Sequence, residues 1–372
     1  MCLYVCAIAN VYVQPNFPIN MKIIIALFSC MMFVFSAPFE KQNKTNSPSD
    51  NAESEAKDMA TANKQSSTRA PRLVVRRDLP FGGGVNLVFR SADGGQTWQD
   101  ISEGLPDNLQ RDGFIVNEDG LYLCAGNGIY HSMPNFTTPF WKKEIFPDKH
   151  TSLAPGKHGI FAYNNDGQFL QRINGTSAWS PVYSSFQEKQ VRTIFESDRG
   201  TVFVGTDKGL FKSINSGETW KQVYARGWGM KIVELNGVLM ATSQEGIIRS
   251  TDNGENWELV ISEGGVGISV EVINGGFAAI TYNTMLKTRR VRTSYDGGKT
   301  WQPIDYNLPA DASIASIVQV GDNFFCGHPA GIFRSSDNGK TWKLLFHSVE
   351  NKVFNLSVSG NVIYAIPKNG GC

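Results

Sequence analysis

The chain has 372 residues, of which 41% are hydrophobic and 19% are charged, so it can bury a large core and is neither wholly disordered nor fibrous. Its 35 Lys and Arg against 34 Asp and Glu leave a net charge of +1, which argues against nucleic acid as a partner. The 37 Gly and eight Trp favour a β protein rich in tight turns, because Gly adopts the positive φ angles that such turns need.

The N-terminal region has the features of a processing signal. Met21-Lys22 followed by the apolar run from Ile23 to Phe35 has the layout of a secretory signal peptide, with cleavage expected after Ser36. The apolar run is shorter than the ~20 residues of a membrane-spanning helix, so we expect a secreted protein without a membrane span, with a signal anchor as the alternative. We therefore assign residues 1–20 to an upstream extension, with Met21 as an alternative start, residues 21–36 to the signal peptide, and residues 37–80 to a disordered linker or pro-segment.

Cysteines and glycosylation sequons fit an extracellular setting. Removal of the first 36 residues leaves Cys124, Cys326 and Cys372, an odd number, so no disulfide framework is expected to hold the fold. The sequons that we expect to be glycosylated begin at Asn43, Asn135 and Asn174. A fourth sequon at Asn355 falls in a sequence that is typical of a buried strand.

An internal repeat predicts the architecture of residues 81–372. An eight-residue motif, here called the turn motif, begins at Ser91 (SADGGQTW), Ser213 (SINSGETW), Ser250 (STDNGENW), Ser294 (SYDGGKTW) and Ser335 (SSDNGKTW). Its Trp belongs to a series of seven, spaced by 37 to 44 residues, which is the length of a four-stranded propeller blade. We expect an all-β, single seven-bladed β-propeller of four-stranded blades, closed because the N-terminal and C-terminal strands share one blade.

The residues of the turn motif predict a structural role. Its acidic or amide position accepts backbone N–H groups within a turn, its Gly takes a left-handed conformation, and its Trp packs between neighbouring blades. The acceptor positions are Asp93, Asn215, Asp252, Asp296 and Asp337, and the Trp positions are Trp98, Trp220, Trp257, Trp301 and Trp342. The five His are scattered without metal-ligand spacing, so we expect neither a metal nor a cofactor.

The turn motif resembles that of the Asp-box, or BNR-repeat, propellers. This superfamily includes sialidases, two-propeller xyloglucanases, sortilin-type receptors and photosystem II assembly factors. The resemblance covers residues 86–372 and implies the propeller fold, with ligands bound at the face opposite the motif. The chain departs from the six-bladed sialidases and from the two-propeller xyloglucanases, and its single seven-bladed ring is similar in size to the photosystem factors.

The connections from strand two to three and from strand four to the next blade share one face, where we expect function. The connection from Tyr282 to Arg290 departs from the repeat and is predicted to be a long, basic loop. Three successive blades are expected to place cations and aromatic rings together at this face. The predicted ligand-binding residues are Lys189, Arg192, Trp228, Lys231, Tyr282, Arg289 and Arg290. They suit a glycan or an acidic protein as the ligand of a non-catalytic binding propeller.

The alternative is a sialidase-like glycoside hydrolase that acts on acidic glycans. Glu196, Glu234 and Glu271 lie near the ends of successive first strands and are candidates for a carboxylate pair. Their repeated positions favour a role in turn and channel structure instead.

Overall fold

The computed structural model describes residues 86–107, 109–117, 119–125, 128–133, 140–144, 152–227, 229–262 and 265–369. The chain divides into residues 1–75 and 76–372, and every described residue belongs to the second unit. The predicted signal peptide, linker and Asn43 and Asn135 sequons lie outside the described residues. Within the described part, no helix has the length and hydrophobicity needed to cross a bilayer.

The described residues form seven antiparallel sheets of four strands each, which confirms the predicted all-β seven-bladed propeller. Blade 1 comprises β1 (Phe89–Ser91), β2 (Gln99–Asp100), β27 (Val353–Ser359) and β28 (Val362–Lys368). Blade 2 comprises β3 (Leu109–Asn117), β4 (Gly120–Ala125), β5 (Gly128–Ser132) and β6 (Lys142–Glu144). Blade 3 comprises β7 (Ser152–Gly156), β8 (Gly159–Tyr163), β9 (Phe169–Ile173) and β10 (Trp179–Val182). No helix is found in these ranges.

The remaining blades follow the same order along the chain. Blade 4 comprises β11 (Val191–Glu196), β12 (Val202–Thr206), β13 (Gly209–Ser213) and β14 (Lys221–Tyr224). Blade 5 comprises β15 (Ile232–Leu235), β16 (Val238–Ser243), β17 (Gly246–Ser250) and β18 (Glu258–Ile261). Blade 6 comprises β19 (Gly265–Ile273), β20 (Gly276–Asn283), β21 (Thr288–Ser294) and β22 (Gln302–Pro303). Blade 7 comprises β23 (Ser316–Val320), β24 (Asn323–His328), β25 (Gly331–Ser335) and β26 (Lys343–His347).

The two ends of the propeller sequence meet in blade 1. The strand order there is β2-β1-β28-β27, and β1 pairs with β28 from Phe89 opposite Ala365 to Ser91 opposite Ile363. The inner strands of successive blades contact one another around the ring, and β27 of blade 1 contacts β3 of blade 2. This closure was predicted from the repeat. It joins blade 1 to both of its neighbours, so the ring has no open end.

The hydrophobic core is divided among the interfaces between blades. Each of seven clusters of buried side chains draws its members from two successive blades, and together the clusters cover all seven interfaces. Phe203 of blade 4, for example, packs with Ile232 and Ile248 of blade 5. Second strands are almost fully buried, as in β4, β8 and β12, because both faces meet a neighbouring blade. Cys326, in one of these second strands, is a free thiol whose pKa is raised by burial.

The turn motif folds around its acceptor side chain. Asp93 Oδ1 accepts hydrogen bonds from the backbone N–H groups of Gln96 and Thr97, each at 3.0 Å, and its other oxygen accepts from the Thr97 hydroxyl. The Ser91 hydroxyl accepts from Gly95 N–H and donates to Asp93. The five motif Trp residues each pack against a core cluster that is shared by two blades, namely Trp98, Trp220, Trp257, Trp301 and Trp342. The motif therefore combines a local turn with a contact between blades.

Candidate functional site

The candidate site lies at the end of the sheets where strand two connects to strand three and strand four leads to the next blade; we call this the loop end. In blade 4, Arg192 Nε donates to Asp207 Oδ1 at 2.6 Å, and the Arg192 side chain is 44% exposed. Lys189 is exposed in the connection that enters the blade. A second ion pair joins Lys208 to Glu188 at 2.7 Å. Of the two cations predicted in this blade, Arg192 is thus paired with a carboxylate of the same blade.

In blade 5, Trp228 lies outside the described residues. Lys231 Nζ lies 3.0 Å from Glu271 Oε1 on the inner strand of blade 6, and the Ser269 hydroxyl donates to the same oxygen at 2.9 Å. Arg226 pairs with Glu245 in the β16 to β17 turn. Lys231 therefore connects blades 5 and 6 through a carboxylate of this chain.

In blade 6, Tyr282 and Arg289 are directly opposite each other on β20 and β21. Arg289 is only 6% exposed, and its Nη1 donates to the carbonyl of Ile314 at 2.6 Å. Arg290 makes two hydrogen bonds to Asp305, from Nε at 2.6 Å and from Nη2 at 3.1 Å. Through these hydrogen bonds, both arginines hold the segment between β22 and β23, which leads to blade 7, against β21. A change at Arg289 therefore perturbs packing, although the sequence placed it among exposed ligand-binding residues.

Two of the candidate glutamates hold neighbouring blades together. Glu196 Oε2 accepts the backbone N–H of Lys157 from the preceding blade at 2.9 Å, and Glu234 Oε2 accepts that of Asp198 at 2.8 Å. Gln319 performs the same function for Asn274 at 2.9 Å. These residues lie at the end of the inner strands away from the loop end, so their repetition reflects one structural contact that recurs around the ring.

Sequence reasoning missed the shape of blade 6. The segment Tyr282 to Arg290, expected to be a long loop, is mostly strand, and β20 and β21 pair over seven residue pairs from Phe277 opposite Ser294 to Asn283 opposite Thr288. In blade 5 the equivalent pairing, from Leu239 opposite the motif residue Ser250, covers five pairs. Since Ser294 is also the first residue of a turn motif, the two additional pairs extend the blade 6 hairpin by about 7 Å at the loop end.

The turn that closes this hairpin, residues 284–287, is here called the blade 6 tip. Its Met285 and Leu286 side chains are 87% and 73% exposed. The adjacent Met-Leu pair within an otherwise polar, basic segment was the available sequence signal for an exposed apolar turn. In the described part of the chain, no three His, Cys, Asp or Glu side chains form a group able to hold a metal ion.

Comparisons with known proteins find likeness in fold alone. No protein-family model and no curated protein match the sequence. The solved structure described as YCF48 bound to D1 peptide is 13% identical with a TM-score of 0.53, covering 71% of this chain and 95% of that one. A GH74 xyloglucanase from Xanthomonas campestris is 16% identical with a TM-score of 0.58, covering 74% of this chain and 54% of its own, so this chain spans about half the enzyme's length.

A third similar structure is a catalytically inactive virginiamycin B lyase from Staphylococcus aureus with quinupristin. It is 12% identical with a TM-score of 0.53, and the match covers 70% of this chain and 96% of that one. Proteins with binding roles and enzymes thus share this architecture. The chain is a seven-bladed β-propeller whose structural neighbours include YCF48 and the GH74 propellers.

Proposed function

We propose that this chain is a secreted, non-catalytic propeller that binds a partner protein at the loop end of blades 4 to 6. The observation that carries the proposal is that the three glutamates considered for hydrolysis each already contact polar groups of this chain. Glu196 and Glu234 each accept a backbone N–H group of the preceding blade, and Glu271 is held by Lys231 and Ser269.

A glycoside hydrolase needs an acid and a second carboxylate that face one substrate, with their carboxyl groups roughly 5 to 9.5 Å apart. The acid must present its proton to the glycosidic oxygen, so its oxygens have to be open toward the substrate. The contacts of Glu196 and Glu234 instead direct them to backbone donors of this chain. The binding function is therefore favoured over the hydrolase.

The charged groups of the loop end fit the rim of a protein interface. Three ion pairs, Arg192 with Asp207, Lys208 with Glu188 and Arg226 with Glu245, each contain a side chain that is more than 40% exposed. Such pairs can exchange partners with charged groups of a bound protein at small cost, as in the polar rims of interfaces. Exposed Lys189 adds positive charge, which favours an acidic partner. A glycan is the other ligand class expected from the sequence, and Trp228, one of the aromatic residues predicted to contact it, lies outside the described residues.

The resemblance of the turn motif to Asp-box propellers belongs to the same proposal. It supports a loop-end site, because the five motifs occupy the connections between strands three and four, at the opposite end of the sheets. A structural neighbour with the same fold is described as bound to a peptide, which shows that this fold can present a peptide site.

The test uses the full chain produced through a secretory pathway and random 16-residue peptides displayed on phage. Dissociation constants of the enriched peptides are measured against wild type, Arg226→Ala and a control, Thr251→Ala, in an exposed turn at the other end of blade 5. Because exposed ion pairs are worth up to about 1 kcal/mol, we expect Arg226→Ala to weaken binding two- to fivefold and Thr251→Ala to leave it unchanged.

The alternative is tested with a fluorogenic sialoside. Hydrolysis that Glu271→Gln removes would replace the binding function with the hydrolase. Failure to enrich any peptide, or equal effects of Arg226→Ala and Thr251→Ala, would contradict a protein site at the loop end.

A further inference from the structure

Among the described residues of the loop end, the blade 6 tip carries the most exposed large apolar side chains. It stands on the two additional strand pairs of β20 and β21, and it carries Met285 and Leu286 as neighbours. Isolated apolar side chains on a surface need no explanation. Two adjacent ones at the end of a hairpin that is longer than those around it form a convex apolar point, which fits a concave surface.

Hydrogen bonds hold the tip in one conformation. Asn283 Oδ1 accepts the backbone N–H of Met285 at 3.0 Å and that of Leu286 at 2.9 Å. The strands remain paired up to Asn283 opposite Thr288, the last residues before the tip. Lys287 has a φ of 53°, which completes the tight turn. A tip that is ordered before binding loses little conformational entropy when it docks.

All charged residues of the β20–β21 hairpin are basic. Residues 276–294 contain Lys287, Arg289, Arg290 and Arg292 and no acidic residue. Arg290 is neutralised by Asp305, and Arg289 is buried against Ile314, so the charge that the hairpin presents to solvent at its tip is that of Lys287. The tip therefore combines two apolar side chains with one exposed cation.

We propose that the blade 6 tip inserts into an apolar pocket rimmed by carboxylates on an acidic partner protein. This inference rests on the proposed binding function and names the contact at its centre. Met285 and Leu286 fill the pocket, and Lys287 pairs with a carboxylate at its edge. A few fully buried side chains at the centre of a protein interface contribute most of its binding energy, and Met is enriched in such centres. The exposed ion pairs of blades 4 and 5 would form the rim.

A lipid surface is the other macromolecule that such a tip could enter. Two apolar side chains and one lysine give weak membrane binding, because even a single fatty acyl chain anchors a protein only reversibly. The observations therefore favour a protein.

The experiment uses the full chain and a phage-displayed library of disulfide-closed random peptides. The variants are the double substitution Met285→Ser with Leu286→Ser, the single substitution Lys287→Glu, and a control, Ile214→Ser, which removes an apolar side chain that is 75% exposed in the turn motif of blade 4. Thermal melts establish that all variants fold, as expected for exposed positions.

We expect the enriched peptides to combine acidic and large apolar residues. The double substitution should weaken their binding at least tenfold and Ile214→Ser less than twofold. Lys287→Glu should weaken binding threefold or more, and replacing the peptide's acidic residue by Lys should restore it. Peptides that bind the double variant as well as wild type, or that are predominantly basic, would overturn the proposal.

Two outcomes separate this inference from the function on which it rests. If the enriched peptides respond to Arg226→Ala but not to changes at the tip, the loop-end site stands and the tip is not its centre. If wild type, but not the double variant, sediments with vesicles of 30% phosphatidylserine and 70% phosphatidylcholine, the tip enters membranes and the protein pocket is excluded.

Discussion

Blades that carry the turn motif and blades that lack it are joined by different chemistry. Blades 1, 4, 5, 6 and 7 carry the motif, and a cation on the third strand often reaches the motif of the next blade. Lys212 Nζ contacts Glu255 at 2.6 Å, Arg249 Nε donates to the Gly297 carbonyl at 2.6 Å, and Arg334 Nη1 donates to that of Gly94 at 3.3 Å. The Lys212 side chain is buried, whereas its partner Glu255 is 45% exposed, and the contacts repeat with the sequence.

Blades 2 and 3 lack the motif and share a buried polar cluster instead. Glu144, whose side chain is 10% exposed, lies 3.6 Å from His131 and 3.5 Å from Arg172, and it accepts a hydrogen bond from Trp179 at 2.9 Å. Arg172 also donates to the Tyr122 hydroxyl at 2.7 Å. The interface between blades 2 and 3 thus contains several interlocked buried polar groups, whereas each of the three motif contacts is made by one cation. The sensitivity of the two kinds of interface to substitution should therefore differ.

The largest expected effect comes from breaking the buried cluster. Glu144→Ala leaves Arg172 buried without its carboxylate, which costs about 3 to 5 kcal/mol and lowers the Tm by roughly 6 to 15 °C. Glu258→Ala is the matched control, because Glu258 pairs with Arg249 of a motif blade but is 62% exposed. Thermal melts followed by circular dichroism measure both. Equal changes in Tm would show that the two kinds of interface do not differ.

The pH dependence of stability should distinguish the two regions, because the motif should lose stability at acidic pH and the buried cluster at alkaline pH. Hydrogen bonds from the Thr341 hydroxyl and backbone N–H lower the pKa of Asp337 in the blade 7 motif from 3.8 to about 2. Burial raises the pKa of Tyr122 in the cluster from 10.0 to about 12. The stabilisation from Asp337 is therefore complete above pH 4 and is lost as the pH falls toward 2, whereas that from Tyr122 is complete below pH 10 and is lost as the pH rises toward 12.

Denaturant melts across pH test this assignment. Asp337→Asn should flatten the fall in the free energy of unfolding between pH 4 and 2, and Tyr122→Phe should flatten the fall between pH 10 and 12. If the free energy of unfolding of Asp337→Asn falls between pH 4 and 2 as steeply as that of wild type, the first half of the prediction is wrong. If that of Tyr122→Phe falls between pH 10 and 12 as steeply as wild type, the second half is wrong.

A smaller effect is expected within a single motif. Asp252 accepts two backbone hydrogen bonds, from Glu255 and Asn256, at 3.0 Å each. Asp252→Ala removes these acceptors in a partly solvated turn, so the expected cost is about 1 kcal/mol and a fall in Tm of roughly 2 to 4 °C. Asp322→Ala, in the exposed turn between β23 and β24, should leave the Tm unchanged. A loss as large as that of Glu144→Ala would show that the motif is more than a local turn.

The last prediction concerns glycosylation of blade 3, which should change stability least because the modified turn is exposed. In place of the motif, residues 173–178 form an exposed turn that contains the Asn174 sequon, while Asn355 lies half-buried in the inner strand β27. We expect chain secreted from eukaryotic cells to carry a glycan at Asn174 and none at Asn355. Peptide N-glycosidase F digestion and mass spectrometry with Asn174→Gln would test this. A secreted chain unmodified at Asn174 would refute the prediction.

The sequence predicted the fold well because its information is periodic. Seven evenly spaced Trp residues fixed the number of blades, and the strand patterns at the two ends predicted the shared blade 1. The candidate site was harder, because the residues that neutralise its cations come from other segments. Asp305, which pairs with Arg290, lies 15 positions from it in the sequence. Glu271, which pairs with Lys231, lies 40 positions from it. Spacing alone cannot show such pairings, nor the direction in which Glu196 and Glu234 point.

The shared blade also sets an order in time for the folding of this chain. β1 is synthesised before the other blades, but its partner β28 begins only at Val362. At 5 to 20 residues per second, the ribosome needs roughly 14 to 55 s to reach that strand after completing β1. For most of that interval blade 1 lacks its two inner strands, β27 and β28, and the buried faces of blades 1 and 2 that pack together in the closed ring are uncovered. The nascent propeller therefore depends on its last strands for closure, and a chaperone that shields those faces would act in that interval.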